Sequence, residues 1–189
     1  PIDQVKRMET QRQSHRRTSL RLFEMAKPTL AALPGAAAGA GFSMALACDM
    51  RIAAETAIMS TAFAKVGLSG DYGGTYLLTQ LVGPAKARAL YLPGERLDMA
   101  AALRPGLVNW VVPAAALETK SMEIARRLAS GPRVAHRFIK DNLNRALKAS
   151  FADCLDMESA NLMQLRDTED HKEAALAFAE KRAPTFKGR

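Results

Sequence analysis

The sequence predicts an α/β fold whose back third is all helix, and three observations carry that prediction. Up to residue 113, short apolar runs alternate with helical patterns, and from residue 114 onward only helical patterns remain. The short runs "TLAALPG", "MRIAAE", "AIMST" and "LVNWVV" have strand length, and all but "AIMST" end at Pro, Gly or a charged residue. With 189 residues and 48% hydrophobic content, the chain can bury a real core. Strand–helix alternation followed by helices alone divides it into a core over residues 1–113 and a helical region over 114–189.

In chain order, a polar helix is expected over residues 5–25. It carries Lys6, Arg7, Arg12, Arg16, Arg17 and Arg21 and reads as a solvated face. "TLAALPG", stopped by Pro34 and Gly35, reads as a buried strand. "GAAAGAGFSMALACD" follows, first nearly all Ala and Gly, then a small apolar helix. Small residues at a helix start let another group approach the backbone. The first N–H groups of a helix have no internal partner, so they can bind an anion or polarise a carbonyl oxygen. Close packing of a small-residue helix against a sheet accounts for the same composition. No Gly-Lys-Ser/Thr follows, which excludes a phosphate P-loop. "MRIAAE" and "AIMST" are two further strands. Helices are expected over 73–82, 84–91 and 97–103, then a strand at "LVNWVV" closed by Pro113. The remainder is helical to the end, with breaks at Gly131-Pro132 and near Ser150.

Bulk properties narrow the function. The net charge is +8, with a second basic concentration at Lys181, Arg182, Lys187 and Arg189, which favours anionic ligands. Aromatic content is 6%, and no aromatic residue interleaves with the basic cluster of the first helix, which argues against nucleic acid. No apolar run approaches the roughly 18–20 residues of a membrane span. The opening "PIDQVKRMETQRQSHRR" is polar and does not read as a secretory leader. Cys48 and Cys154 lack metal-ligand spacing and suit free thiols in a cytoplasmic setting. The chain begins at Pro1 and is expected to be part of a longer protein. His15, His136 and His171 lie in polar helical stretches and read as surface residues. Cys48 reads as core, Trp110 as core or interface, and Asp49 as ending its helix and capping the next turn.

One loop carries candidate chemistry. "KVGLSGDYGGTY" places a single carboxylate, Asp71, among Gly67, Gly70, Gly73 and Gly74, just before the helical "TYLLTQLV". Asp71 reads as the N-cap of that helix or as an acid placed to move a proton, and the two readings are compatible. Phe63, Leu68 and Tyr72 are its expected apolar neighbours.

Taken together, "KPTLAALPGAAAGAGFSMALACDMRIAAETAIMSTAFAKVGLSGDYGGTYLLTQLVGPAKARALYL", "GLVNWVVP" and "TEDHKEAALAFAEKRAPTFKGR" resemble the crotonase (enoyl-CoA hydratase/isomerase) superfamily. The resemblance covers about residues 20–189. It implies a spiral of ββα turns followed by a helical trimerisation region. It also implies acyl-CoA thioester substrates, an enolate intermediate and a trimer or dimer of trimers. No separate cofactor or metal is implied, because coenzyme A enters as part of the substrate.

The resemblance also assigns residues. One oxyanion-hole N–H falls on Ala40, between Gly39 and Gly41. The other belongs to an upstream segment of the Phe-Cys-Ala-Gly-Gly-Asp type, which this sequence does not contain. The two positions that carry glutamates in family hydratases are Ser43 and Phe63 here, and neither is an acid. Asp71 matches an aspartate of dienoyl-CoA and epoxyphenylacetyl-CoA isomerases, where it moves protons along the acyl chain. Phe63 and Tyr72 would line the acyl pocket. Phe178 and Lys181 match positions that help hold the adenine and phosphate of coenzyme A. The function implied is double-bond isomerisation with Asp71 as acid and base. A hydratase using Asp71 alone, or a non-catalytic acyl-CoA-binding trimer, is the alternative.

Overall fold

The structure, a computed structural model, describes residues 3–189. The breaker-bounded apolar runs fold as strands β1 (Leu30–Leu33), β3 (Met50–Ala54), β4 (Ile58–Ser60) and β6 (Trp110–Val112). Two short strands join them, β2 (Ala36–Ala38) and β5 (Leu97–Asp98). The helices of the front part are α1 (Gln4–His15), α2 (Arg21–Glu24), α3 (Ala40–Ala47), α4 (Gly74–Tyr91) and α5 (Met99–Leu103). Those of the back part are α6 (Leu117–Ala129), α7 (Arg133–Ala146), α8 (Phe151–Arg166) and α9 (Glu169–Ala179). The chain forms two compact units. The first holds the chain up to Phe23 together with Thr29–Ser121, and the second holds Glu24–Pro28 with Met122–Arg189.

In the first unit the strands form two three-stranded sheets, ordered β1-β3-β6 and β2-β4-β5. Leu30 pairs with Met50 and Ala36 with Ile58, both in parallel. Each turn of chain, strand–strand–helix, therefore adds one strand to each sheet, which is the geometry of a spiral. β6 continues the first sheet in parallel, whereas β5 closes the second antiparallel to β4. Phe42, Ile52, Met59, Leu78, Met99, Leu107 and Val108 are all but fully enclosed and form the core. The small residues of α3 fit this position, with Ala45 and Ala47 also buried.

Arg51 is a buried cation within this core, 3% exposed. Its guanidinium donates to the carbonyls of Leu107 (2.7 Å) and Cys48 (2.6 Å). Cys48 is the C-cap of α3, where carbonyls lack helical partners and carry the negative end of the helix dipole. Burial pulls the Arg51 guanidinium below its ordinary value, against the opposing effects of Cys48 and Asp49.

Several expectations change in detail. The first helix contains a π segment over Arg16–Leu20. "AAA" at 36–38 is a strand because it pairs with β4, although its residues have no strand preference. The helices expected over 73–82 and 84–91 both form, and Gly83, outside the helical region at ψ 164°, separates them within the α4 span. Gly83 has φ 75°, and Pro84 opens the second half. Residues 97–98 belong to a strand, and Asp98 caps α5 through the Ala101 N–H. Asp49 lies at the end of α3 and reaches back to Thr29. Its carboxylate accepts from the N–H and hydroxyl of Thr29, tying the start of β1 to the end of α3. Cys48 is half-buried rather than core, and Trp110 is half-buried.

In the second unit, α7 packs on α8, and Asn161 Nδ2 donates to Asn142 Oδ1 at 2.6 Å. The buried Lys140 reaches the Lys27 carbonyl at 3.3 Å. Ser150 and Asp153 form a capping box at the start of α8. The chain is not helical to its end, because α9 stops at Ala179 and the tail folds back. The carboxylate of Asp170, 4% exposed, accepts from the Lys187 and Gly188 N–H groups. Arg182 pairs with Glu173 and Glu180.

Candidate active site

α3 begins at a glycine that the backbone requires. Gly39 has φ 54°, a conformation that L side chains rarely adopt. Ala40 follows as the first helical residue and is half-buried, so its N–H has no acceptor within the helix. The Phe63 ring stands opposite this start, 3.8 Å from where a Gly39 Cβ would lie. Phe63 is buried, at the head of a 3₁₀ turn that follows the left-handed Ala62.

Beyond that turn runs the glycine loop. Gly67, Gly70, Tyr72 and Gly73 all have positive φ, with Tyr72 at 50°. A non-glycine residue there is held by its surroundings, a form of strain that clusters at functional sites. The N-cap of α4 is Gly73, and no side chain caps that helix. Asp71 is therefore not the cap of α4. Its Oδ1 accepts instead from the Tyr72 N–H at 2.9 Å. Nε2 of His15 lies against the same oxygen without making a hydrogen bond. Its Oδ2 accepts from Gln11 Nε2 at 3.2 Å. The His15 ring lies 4.6 Å from that of Tyr72, tilted by 49°. Leu68, an expected neighbour, is 62% exposed and does not wall the carboxylate in.

Tyr91, at the end of α4, links the two halves of the site. Its ring stacks on Phe63 with centroids 6.2 Å apart and planes at 1°. A Cβ at Gly74 would collide with both the Ser43 and Tyr91 hydroxyls, the latter at 2.6 Å. Ser43 is fully buried and donates to the Gly39 carbonyl at 3.3 Å. The Tyr91 and Ser43 oxygens are neighbours but not aligned for a direct hydrogen bond. Burial raises the Tyr91 phenol above its ordinary value. The Ser43 hydroxyl lowers it, and the charge of Asp71 raises it.

Ala40, Phe63, Asp71 and Tyr72 thus fall in one neighbourhood of the first unit, joined through Ser43, Gly74 and Tyr91. Phe178 and Lys181 belong to the second unit. Phe178 is 87% exposed on α9, and Lys181 leaves the helix with φ 54°. His15 was read from the sequence as a surface residue, and the structure corrects this. Its side chain keeps 31% exposure while Nε2 is enclosed against Asp71. The only sequence signal for it was a lone His on a basic helix, with Gln11 lying 60 residues from the carboxylate. Among the described residues, no three of His, Cys, Asp and Glu cluster in a way that could hold a metal ion.

The chain was compared with known proteins. A family profile described as Enoyl-CoA hydratase/isomerase matches residues 3–189. The 1,2-epoxyphenylacetyl-CoA isomerase of Escherichia coli is 37% identical over 169 residues, covering 89% of this chain and 64% of that protein. The short-chain-enoyl-CoA hydratase of Clostridium acetobutylicum is 36% identical over 162 residues, covering 86% and 62%. The crystal structure of an enoyl-CoA hydratase from Bacillus anthracis superposes with TM-score 0.93 at 32% identity, covering all of this chain and 72% of that one. The chain therefore spans less than two thirds of the length of these two curated relatives.

Proposed function

The chain belongs to the enoyl-CoA hydratase/isomerase family, and from that premise we propose that it acts on acyl-CoA thioesters by moving a double bond, with Asp71 as the acid and base. One observation carries this reading. Asp71 supplies a carboxylate near Tyr91, whose ring stacks on Phe63 beside the start of α3, while Ser43 and Phe63 occupy the places where the resemblance puts the two acids of a hydratase. The free N–H of Ala40 supplies one donor to the thioester oxygen as negative charge develops there. Such donors contribute roughly 3–4 kcal/mol to a transition state. Asp71 removes a proton from one carbon of the acyl chain and returns it to another. Phe63 and Tyr72 flank the acyl group, and Phe178 and Lys181 contact the coenzyme A moiety. Lys181 offers its positive charge to a phosphate.

The same family membership supports self-association, with a trimer or dimer of trimers as the proposed state. Leu155 and Leu162 of α8 are 47% and 57% exposed in the single chain, and an interface would cover them. Among the described residues no helix is long and apolar enough to cross a membrane. The proposed setting is the cytoplasm.

The test supplies a 3-enoyl-CoA and follows the absorbance of the conjugated 2-enoyl product. A 2-enoyl-CoA is supplied in parallel and its hydration followed. Conjugation without hydration supports the isomerase. Hydration without conjugation replaces it with a hydratase that uses Asp71 alone. Binding without either leaves an acyl-CoA-binding protein. Calorimetry should show thioesters bound more tightly than the matching free acids, and equal affinity would remove the acyl-CoA reading.

A further inference from the structure

We propose that Gln11 is a positioning residue for Asp71: its side-chain amide, brought by α1, holds the second carboxylate oxygen and so fixes the plane in which Asp71 takes and returns the proton. The inference rests on the isomerase reading above and adds no step to it. Gln11 Nε2 donates to Asp71 Oδ2 at 3.2 Å, across 60 residues of chain. The other donor, the Tyr72 N–H, holds Oδ1 at 2.9 Å and belongs to the adjacent residue. That local bond alone lets the carboxylate move with its loop. A donor on the opposite oxygen, anchored on a different element, restricts that motion. An ionised carboxylate has about four acceptor sites, so two donors leave room for the migrating proton. The amide donates but does not titrate, so it holds Oδ2 in both protonation states of Asp71.

The build of α1 points to this contact. The helix buries none of its residues, so it is not part of the core of the first unit. Its face toward the glycine loop carries Gln11 and His15, one turn apart. The His15 ring packs on that of Tyr72 with centroids 4.6 Å apart and sets the helix against the loop. Gln13 shows where a glutamine amide goes when an acid lies one turn back: its Nε2 donates to Glu9 Oε1 at 3.2 Å, within the helix. Gln11 has Arg7 and His15 at the corresponding positions, neither of them an acid, and its amide leaves the helix for Asp71.

Gln11 is exposed, so replacing it separates positioning from stability. Gln11→Met keeps the length of the side chain without the donor. Its kcat for 3-enoyl-CoA isomerisation should fall about tenfold, the low end for a hydrogen bond to a charged group. KM and the urea midpoint of unfolding should stay at their wild-type values. Gln11→Glu should lose more, because a like charge replaces the donor. In an Asp71→Asn background, Gln11→Met should cost nothing further, since a positioning residue acts only through the group it positions. Wild-type kcat in Gln11→Met overturns the inference while leaving the isomerase reading standing, and so does an equal loss in both backgrounds. A second measurement is independent of activity. The Gln11 side-chain amide signals in ¹H–¹⁵N spectra should move in Asp71→Asn. Unmoved signals overturn the inference, whatever reaction the protein catalyses.

Discussion

Asp71 has both oxygens engaged, one by Gln11 and the other by the Tyr72 N–H, with His15 against it. That arrangement orients the carboxylate, as the proposed proton transfer requires. The space around it depends on Gly74. Gly74→Ala would drive a methyl group into the Ser43 and Tyr91 hydroxyls, both on packed side chains. Overpacking of this kind costs about 1–3 kcal/mol, and urea unfolding should show a loss in that range. Wild-type stability in that variant would mean that the two hydroxyls shift freely. Asp71 was legible in the sequence because a lone acid in a glycine loop stands out. Its partners were not, since they come from a helix distant in sequence and their approach depends on the turns of the spiral between. Tyr91 was silent for the same reason. An aromatic residue at the end of an apolar helix reads as core until the fold stacks it on Phe63.

At the scale of elements, α3 is held at both ends. Gly39 sets its start through positive φ, and Arg51 satisfies the carbonyl of Cys48 at its end. The same guanidinium holds the Leu107 carbonyl just before β6. Arg51→Met would remove a charged donor from both carbonyls inside the core. Hydrogen bonds to charged groups contribute about 1.5–3 kcal/mol each, so we expect a loss of about 3 kcal/mol in chemical unfolding. A loss below about 1 kcal/mol would show that the carbonyls find other partners. Arg51→Lys should recover only part, because a single ammonium lacks the planar fork that spans separate acceptors. Strand and helix order was legible from apolar runs and breakers. β2 was not, because three alanines become a strand only by pairing with β4. The Gly83-Pro84 kink was legible as a helix break, since both residues have strong backbone requirements.

At the scale of the whole molecule, the second unit ends in a tail tied by charge and backbone hydrogen bonds. Glu173 accepts from Arg182 and from the Thr185 N–H, and these hold its carboxyl down at about 2. A value below the ordinary carboxyl range means the tie is complete above about pH 4.5 and is lost as the pH falls toward about 2. The Thr185 amide resonance should therefore titrate with a midpoint near 2. A midpoint near 4.5 would show that the tail is not held through Glu173. The fold class was legible from strand–helix alternation, while the folded-back tail was not, because its ties join residues far apart in sequence. Light scattering at micromolar concentration should give a trimer or its multiple, and a monomer would contradict the proposed assembly. The central claim is that Asp71 carries the proton, and Asp71→Asn tests it most directly. Asparagine keeps the shape and much of the hydrogen bonding but removes the basicity. The account predicts that kcat for 3-enoyl-CoA isomerisation falls 10²–10⁴-fold, or roughly 3–5 kcal/mol of barrier, with acyl-CoA binding little changed. Turnover in the variant comparable to wild type would contradict it.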